Sequence, residues 1–185
     1  NVPGNGVFSG PGVSAAGLFD PSATGAGTFP IKYLYVSNTG CRDSLTQPLV
    51  VWPRPVASFD VSALRCEKNP VIFTSHSQPT VGKLVQWNWD FADATGLQSQ
   101  VNENPLPHVF AAYNTYQVSL QVVTDNGCTS PAALQTVKVN PLPRVDFDMP
   151  IVCFPEGKAV FNNKTSIPDG TLTQLVYRWD FGDAS

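Results

Sequence analysis

The sequence has little charge, and it lacks the patterns that mark several large classes of protein. Only 14% of its 185 residues are charged, with a formal net charge of −3, whereas an average globular domain has about 25% charged residues. A nucleic-acid partner is not expected, because its phosphates would require a basic face. No apolar stretch approaches the roughly 20 residues of a membrane-spanning helix, so membrane insertion is not expected either.

Long helices are also excluded, because 17 prolines and 14 glycines interrupt the chain and both residue types disfavour helix interiors. Several segments instead show apolar residues alternating with polar ones. Within residues 116–122, Tyr, Val, Leu and Val alternate with polar residues, which is typical of a half-buried β-strand. Residues 29–35 and 87–91 alternate in the same way, and turn-forming clusters separate these runs. The pattern predicts an all-β sandwich with no helix longer than a turn.

The chain repeats with a period of about 88 residues, a normal size for one β-sandwich domain. The turn Gly40-Cys41 recurs 87 residues later as Gly127-Cys128, and the Pro-x-Pro linker at 53–55 recurs 88 residues later at 141–143. This register predicts three modules. Residues 1–52 hold the C-terminal part of a glycine-rich module, 53–140 a complete module, and 141–185 the N-terminal part of another. Because the sequence starts without Met and ends in what reads as a turn, we expect a piece of a longer protein.

The four cysteines show no Cys-x-x-Cys spacing and the two histidines are isolated, so a zinc site is not expected. The repeat suggests instead that each complete module carries two cysteines that bond to each other, which in the central module are Cys66 and Cys128. Such a disulfide would indicate an oxidising compartment. The alternatives are a bridge between Cys41 and Cys153, and four free thiols.

Three sequence elements follow one another in the central module: Trp-Asp-Phe-x-Asp, Pro-x-His-x-Phe and Tyr-x-Val-x-Leu-x-Val. Together they resemble the PKD (polycystic kidney disease) domain. The residues that carry the resemblance are Trp89, Asp90, Phe91, Asp93, Pro107, His108, Phe110, Tyr116, Val118, Leu120 and Val122, and the third module repeats the first element with Trp179, Asp180, Phe181 and Asp183. The resemblance implies tandem immunoglobulin-like β-sandwiches. It also implies that His108 starts a strand and bonds to the aspartate turn.

The chain departs from the family at the aspartate turn, where Ala92-Asp93-Ala94 replaces the usual Gly-Asp-Gly. A backbone with positive φ would be strained there by alanine. The pair Asp90 and Asp93 could be interpreted as catalytic carboxylates. We favour a structural role, because Asp180 and Asp183 repeat the pair in the next module and catalytic sites rarely recur along an array. No catalytic residues are therefore predicted.

Oxygen ligands for calcium are available at Asp60, Asp146 and Asp148, although no clustered acidic loop resembles an EF-hand. Apart from calcium, no cofactor is expected. The aromatic residues Trp87, Trp89 and Phe91 could form a sugar-binding platform, but they fit a buried sandwich core better. Trp52, beside the first Pro-x-Pro linker, is the better candidate for an inter-module contact.

Residues 1–52 resemble glycine-rich modules that alternate with PKD domains in very large surface proteins of gliding Bacteroidetes, often adhesins exported by type IX secretion. The resemblance implies a non-catalytic structural or adhesive segment of a secreted or cell-surface protein. Its expected partners are neighbouring modules of the same chain, surface glycans or proteins, and the secretion machinery. The alternative is an accessory part of a secreted hydrolase whose catalytic domain lies outside this chain. A carbohydrate-binding module is a third hypothesis.

Overall fold

A computed structural model describes residues 6–152 and 159–181. The first module contributes a three-stranded antiparallel sheet of β1 (Val7–Ser9), β2 (Gly27–Val36) and β3 (Arg42–Val51). Between β1 and β2 lies the four-residue helix α1 (Pro21–Thr24), which is capped by the Asp20 side chain and followed by Gly25 at φ 74°. No described helix is longer than this single turn. The all-β prediction is confirmed.

Seven strands of the central module form two antiparallel sheets. One sheet has the order β4 (Phe59–Val61), β5 (Pro70–Ser75), β8 (Leu106–Val109). The other has the order β10 (Ala133–Val139), β9 (Asn114–Thr124), β6 (Leu84–Asp90), β7 (Gln98–Gln100). Alternation puts one side of each strand into the space between the sheets, as in an immunoglobulin-like sandwich. The buried core consists of Phe59, Val71, Phe73, Trp87, Trp89, Phe91, Phe110, Val118, Leu120, Val122, Val137 and Val139.

The third module contributes a short antiparallel pair, β11 (Phe147–Asp148) and β12 (Asn162–Asn163), and a 3₁₀ turn at Leu172–Gln174. This pair is the equivalent of β4 and β5 one repeat later, since Phe147 and Asn162 lie 88 residues after Phe59 and Thr74. The register is also the same, because Asp148 pairs with Asn162 as Asp60 pairs with Thr74. At the other end of the chain, β2 begins 87 residues before β9. The fold therefore comprises one complete and two partial sandwiches, while the module boundaries stay a prediction.

The Gly-Cys turns have the same structure in the first two modules. In the first, Ser37 N–H donates to the Cys41 carbonyl at 2.7 Å, and Cys41 N–H donates to Ser37 Oγ at 3.0 Å. In the second, Thr124 and Cys128 form the same two bonds at 3.0 and 3.2 Å. Equivalent bonds at a separation of 87 residues show that the sequence repeat is also a structural repeat at this turn.

The predicted bond between Cys66 and Cys128 is wrong. Both residues are free thiols, as is the exposed Cys41. Cys128 lies in the turn that precedes β10, whereas Cys66 forms a parallel bridge with Asn140, just after β10 ends. Seven extended residues separate these ends by about 20 Å, and a disulfide requires Cα atoms within about 7 Å. Cys153, the second member of the alternative pair with Cys41, lies outside the described residues.

Candidate functional site

The aspartate turn follows β6 and is built from two successive side-chain-to-backbone bonds. Asp90 Oδ1 accepts from Ala92 N–H at 2.9 Å, and Asp93 Oδ1 accepts from Thr95 N–H at 3.2 Å and from Thr95 Oγ at 2.6 Å. Such bonds are typical of turns that start at aspartate. Ala92 and Ala94 have φ of 52° and 67°, which is the left-handed region that disfavours residues with a Cβ atom.

Replacing Ala94 with glycine is expected to stabilise the central module by about 0.5–1 kcal/mol. The substitution removes a left-handed strain of roughly 1–2 kcal/mol, and the greater freedom of glycine in the unfolded chain offsets part of that gain. The measurement is the midpoint of urea unfolding. The matched control is Ala112→Gly, in an exposed loop without positive φ, which should lower the midpoint. A lower midpoint for Ala94→Gly would contradict the strain argument.

Asp93 and His108 form a buried pair beneath this turn. Asp93 Oδ2 lies 2.6 Å from His108 Nε2, and the two side chains are 7% and 5% exposed. Burial alone would raise the pKa of the Asp93 carboxyl, but hydrogen bonds from Thr95 and His108, together with the charge of His108, lower it below its ordinary value. Gln98 Nε2 lies 3.3 Å from His108 Nδ1, so both ring nitrogens have a partner.

Aromatic rings enclose the histidine. The Phe91 ring stacks on His108 with centroids 3.7 Å apart and an interplanar angle of 7°, and Phe110 meets it edge-on at 4.7 Å. Trp89 stacks parallel to Phe91 at 6.1 Å. This geometry ties the aspartate turn to β8 and to the core. It does not present His108 to a substrate, because the ring is buried and both of its nitrogens are engaged.

The other aromatic candidates separate into buried and exposed positions. Trp87 is buried and its indole N–H donates to Ser75 Oγ at 3.1 Å, so the residues on this face of β6 belong to the core rather than to an open platform. Tyr116 stacks on Phe110 and its hydroxyl donates to the Ala112 carbonyl at 2.8 Å. Trp52 is about two-fifths exposed and borders a groove at the first linker with Arg54 and Cys128.

The third module repeats the aromatic geometry without the burial. Trp179 and Phe181 stack 6.3 Å apart at 6°, close to the geometry of Trp89 and Phe91. Trp179 is nevertheless 41% exposed, whereas Trp89 is 1% exposed. Asp180 is exposed, and Asp183 lies outside the described residues.

The structure does not bring the calcium candidates together. Asp60 lies on β4, where its carboxylate is 3.1 Å from His76 Nε2. Asp148 lies on β11 and pairs with Lys164 Nζ at 2.6 Å, and Asp146 precedes that strand. Lys164 accordingly has a raised pKa, because the Asp148 carboxylate accepts a hydrogen bond from it and attracts its charge. Within residues 6–152 and 159–181, no three His, Cys, Asp or Glu side chains are grouped as around a metal ion.

Sequence reasoning missed Glu67, which joins the central module to the second linker. Its Oε2 accepts from Tyr113 N–H and its Oε1 from Leu142 N–H, both at 3.1 Å. These partners lie 46 and 75 residues away in the chain. No local motif marks a contact over such separations, and the third-module equivalent of Glu67 falls among residues 153–158, outside the described part.

The central part of the chain also matches a known protein family. Residues 52–139 match the model of the family described as the PKD domain. The central module is a PKD-like domain. PKD domains typically serve as non-catalytic structural or adhesive modules of extracellular proteins. In the part of this chain that the structure describes, no helix has the length and apolar character needed to cross a bilayer.

Solved structures similar to this chain include two bacterial PKD domains. The PKD1 domain of the Vibrio cholerae metalloprotease PrtV is 25% identical, with a TM-score of 0.40 over 47% of this chain and 98% of that one. The PKD1 domain of Vibrio anguillarum Epp is 26% identical, with a TM-score of 0.39 over 48% of this chain and 99% of that one. The fibronectin(III)-like modules of Clostridium thermocellum CbhA are 12% identical, with a TM-score of 0.44 over 74% of this chain and 77% of that one.

Proposed function

We propose that this chain is a non-catalytic, semi-rigid spacer segment of a long secreted or cell-surface protein, and that it holds its modules in a fixed orientation. The observation that carries the proposal is the way in which the Pro-x-Pro linkers are held. Leu142 is the middle residue of the second linker and Arg54 is the middle residue of the first, 88 positions earlier.

The central module binds the middle residue of both linkers. At its start, Thr80 Oγ donates to the Arg54 carbonyl at 2.8 Å. At its end, Leu142 N–H donates to Glu67 Oε1. Because the linkers are equivalent, this repeat predicts that a linker is held through its N–H by the module before it and through its carbonyl by the module after it. Proline on both sides of the middle residue restricts the remaining backbone freedom. A linker held in this way transmits orientation from one module to the next.

Replacing Glu67 with alanine is expected to loosen the second linker while leaving the central core intact. Two backbone N–H groups lose their acceptor, and we expect a loss of about 1–2 kcal/mol in the free energy of unfolding. The direct measurement is ¹⁵N relaxation, in which amides of the third module should report faster local tumbling. The matched control is Glu103→Ala, in the exposed loop between β7 and β8. Equal relaxation in the two variants would contradict a linker held by Glu67.

More specifically, we propose that the chain is part of an adhesin-like array on the surface of a gliding bacterium, and that the array is exported by type IX secretion. It is supported by the sequence resemblance of residues 1–52 and by the tandem repeat. In this view the partners are neighbouring modules, and surface glycans or proteins. The exposed Trp52 beside the first linker is the position to test against glycans, by comparing the chain with its Trp52→Ala variant on a glycan array.

The experiment that tests the proposed function is mass determination of the native protein, with mapping of its flanking peptides. Further modules with the 87–88-residue period support the spacer. A flanking catalytic domain with a hydrolase motif would instead identify these modules as accessory parts of a secreted enzyme. A native protein without additional modules would overturn the proposal.

A further inference from the structure

Each end of the central module carries a cysteine beside a linker. At the start of the module, Cys128 Sγ lies 3.8 Å from the carbonyl oxygen of Trp52, the residue that precedes the first Pro-x-Pro linker. At the end, Asn140 precedes the second linker and pairs with the segment around Cys66. Asn140 N–H donates to the Arg65 carbonyl at 2.7 Å, and Glu67 N–H donates to the Asn140 carbonyl at 2.9 Å.

Trp52 and Asn140 occupy the same position in the repeat, 88 residues apart and each directly before a Pro-x-Pro linker. The geometry at the first linker can therefore be transferred to the second. A complete module after Asn140 would place the cysteine of its own Gly-Cys turn against the Asn140 carbonyl. Cys66 already lies beside Asn140, at the strand spacing of about 4.8 Å between Cα atoms. The two cysteines would thus adjoin the same residue, and a disulfide between them requires that they approach it from the same side, with Cα atoms within about 7 Å.

We propose that Cys66 forms a disulfide with the Gly-Cys cysteine of the module that follows, and that Cys128 forms the equivalent bond with the module that precedes. This inference rests on the proposed function, because it requires a complete module on each side. Two thiols lose two protons and two electrons and one S–S bond forms. The electrons pass to a disulfide-containing oxidant of the extracytoplasmic compartment, which is reduced to thiols.

The proposal accounts for a feature that an intra-module bond leaves unexplained, which is the position of the two cysteines at opposite ends of β10. The bond would reinforce the hydrogen bonds of Glu67 and Thr80 at the same linker, and it would make the array resistant to stretching at each junction.

The test uses the full chain with residues 53–140 duplicated in tandem, which recreates the Asn-Pro-x-Pro junction between two complete modules. The core of each copy comes entirely from its own residues. Cys41 and Cys153 are replaced by serine. In one variant, the only cysteines left are Cys66 in the first copy and Cys128 in the second. The matched control keeps Cys128 in the first copy and Cys66 in the second, so that it has the same composition and the same number of thiols.

Both proteins are incubated with oxidised glutathione and analysed by thiol titration and intact mass. The first variant should lose both free thiols as a monomer, and its mass should fall by two hydrogen atoms. The control should show no such intramolecular bond. Retention of both thiols in the first variant, or equal bond formation in the control, would overturn the proposal. Non-reducing peptide maps of the native protein distinguish a failure of the disulfide proposal from a failure of the proposed spacer function. Further modules with Cys66 reduced would refute the disulfide alone, whereas the absence of further modules would refute the spacer function.

Discussion

Replacing Trp89 with alanine is expected to lower the free energy of unfolding of the central module by about 3–5 kcal/mol, as for large aromatic residues in other cores. Trp89 is almost fully buried and meets Phe59 edge-on with ring centroids 5.0 Å apart, Phe73 at 5.7 Å and Phe91 in a stacked arrangement. Truncation would leave a cavity between the two sheets. Because small domains are stable by only about 5–15 kcal/mol, urea unfolding should show a large fall in midpoint.

Two further variants keep this expectation testable if the alanine variant does not fold. Trp89→Phe should cost less, because it keeps a ring and removes an indole N–H that has no hydrogen-bond partner among the described residues. Leu97→Ala, at a side chain that is 73% exposed, should change stability by less than about 0.5 kcal/mol. A loss below about 1 kcal/mol for Trp89→Ala would contradict the position of this residue at the centre of the core.

The second large effect is expected at the buried pair, where Asp93→Ala should cost about 3 kcal/mol. The substitution removes the carboxylate that accepts from Thr95 and from His108, and it leaves the enclosed imidazole without its acidic partner. The control is Asp90→Ala. Asp90 is exposed and bonds the neighbouring Ala92 N–H, so a loss below about 1 kcal/mol is expected. Similar losses in the two variants would contradict a distinct role for the buried pair.

The same pair predicts a pH dependence. The pKa of Asp93 is lowered in the folded state, so its contribution is fully present above the unfolded value of about 3.9 and is lost as the pH falls through the lower folded value. The stability difference between the wild type and Asp93→Ala should therefore be larger at about pH 5 than at about pH 3. The exposed carboxyls of Asp20 and Asp169 also have lowered pKa values, through hydrogen bonds from Ser22 and Thr171. Comparison with the variant cancels their effect. A difference that persists unchanged at pH 3 would overturn the assignment.

Much of the fold could be predicted because alternation is a local signal of burial. Val118, Leu120 and Val122 are buried on β9 while Gln117 and Gln121 are exposed, as the period of two requires. The aspartate turn is a second local feature: alanine is strained there only if φ is positive, and Ala92 and Ala94 both have positive φ. Each of these features depends on a few consecutive residues, and so a single sequence contains the information.

The cysteine pairing failed for the opposite reason. The central module contains two cysteines, but a period along the chain carries no information about which ends of a sandwich they occupy. Strand order decides this, because β10 runs the length of the module between Cys128 and the Asn140 that pairs with Cys66.

The sequence alone determined the all-β class, the 87–88-residue repeat and the place of Trp87, Trp89 and Phe91 in the core, because these follow from local periodicity and from self-similarity. The tertiary structure decided the contacts between distant segments. It placed Gln98 on the second nitrogen of His108, Glu67 on the linker and the two cysteines at opposite ends of the module. Such contacts depend on the order in which strands pair across two sheets, and that order is a property of the whole folded chain.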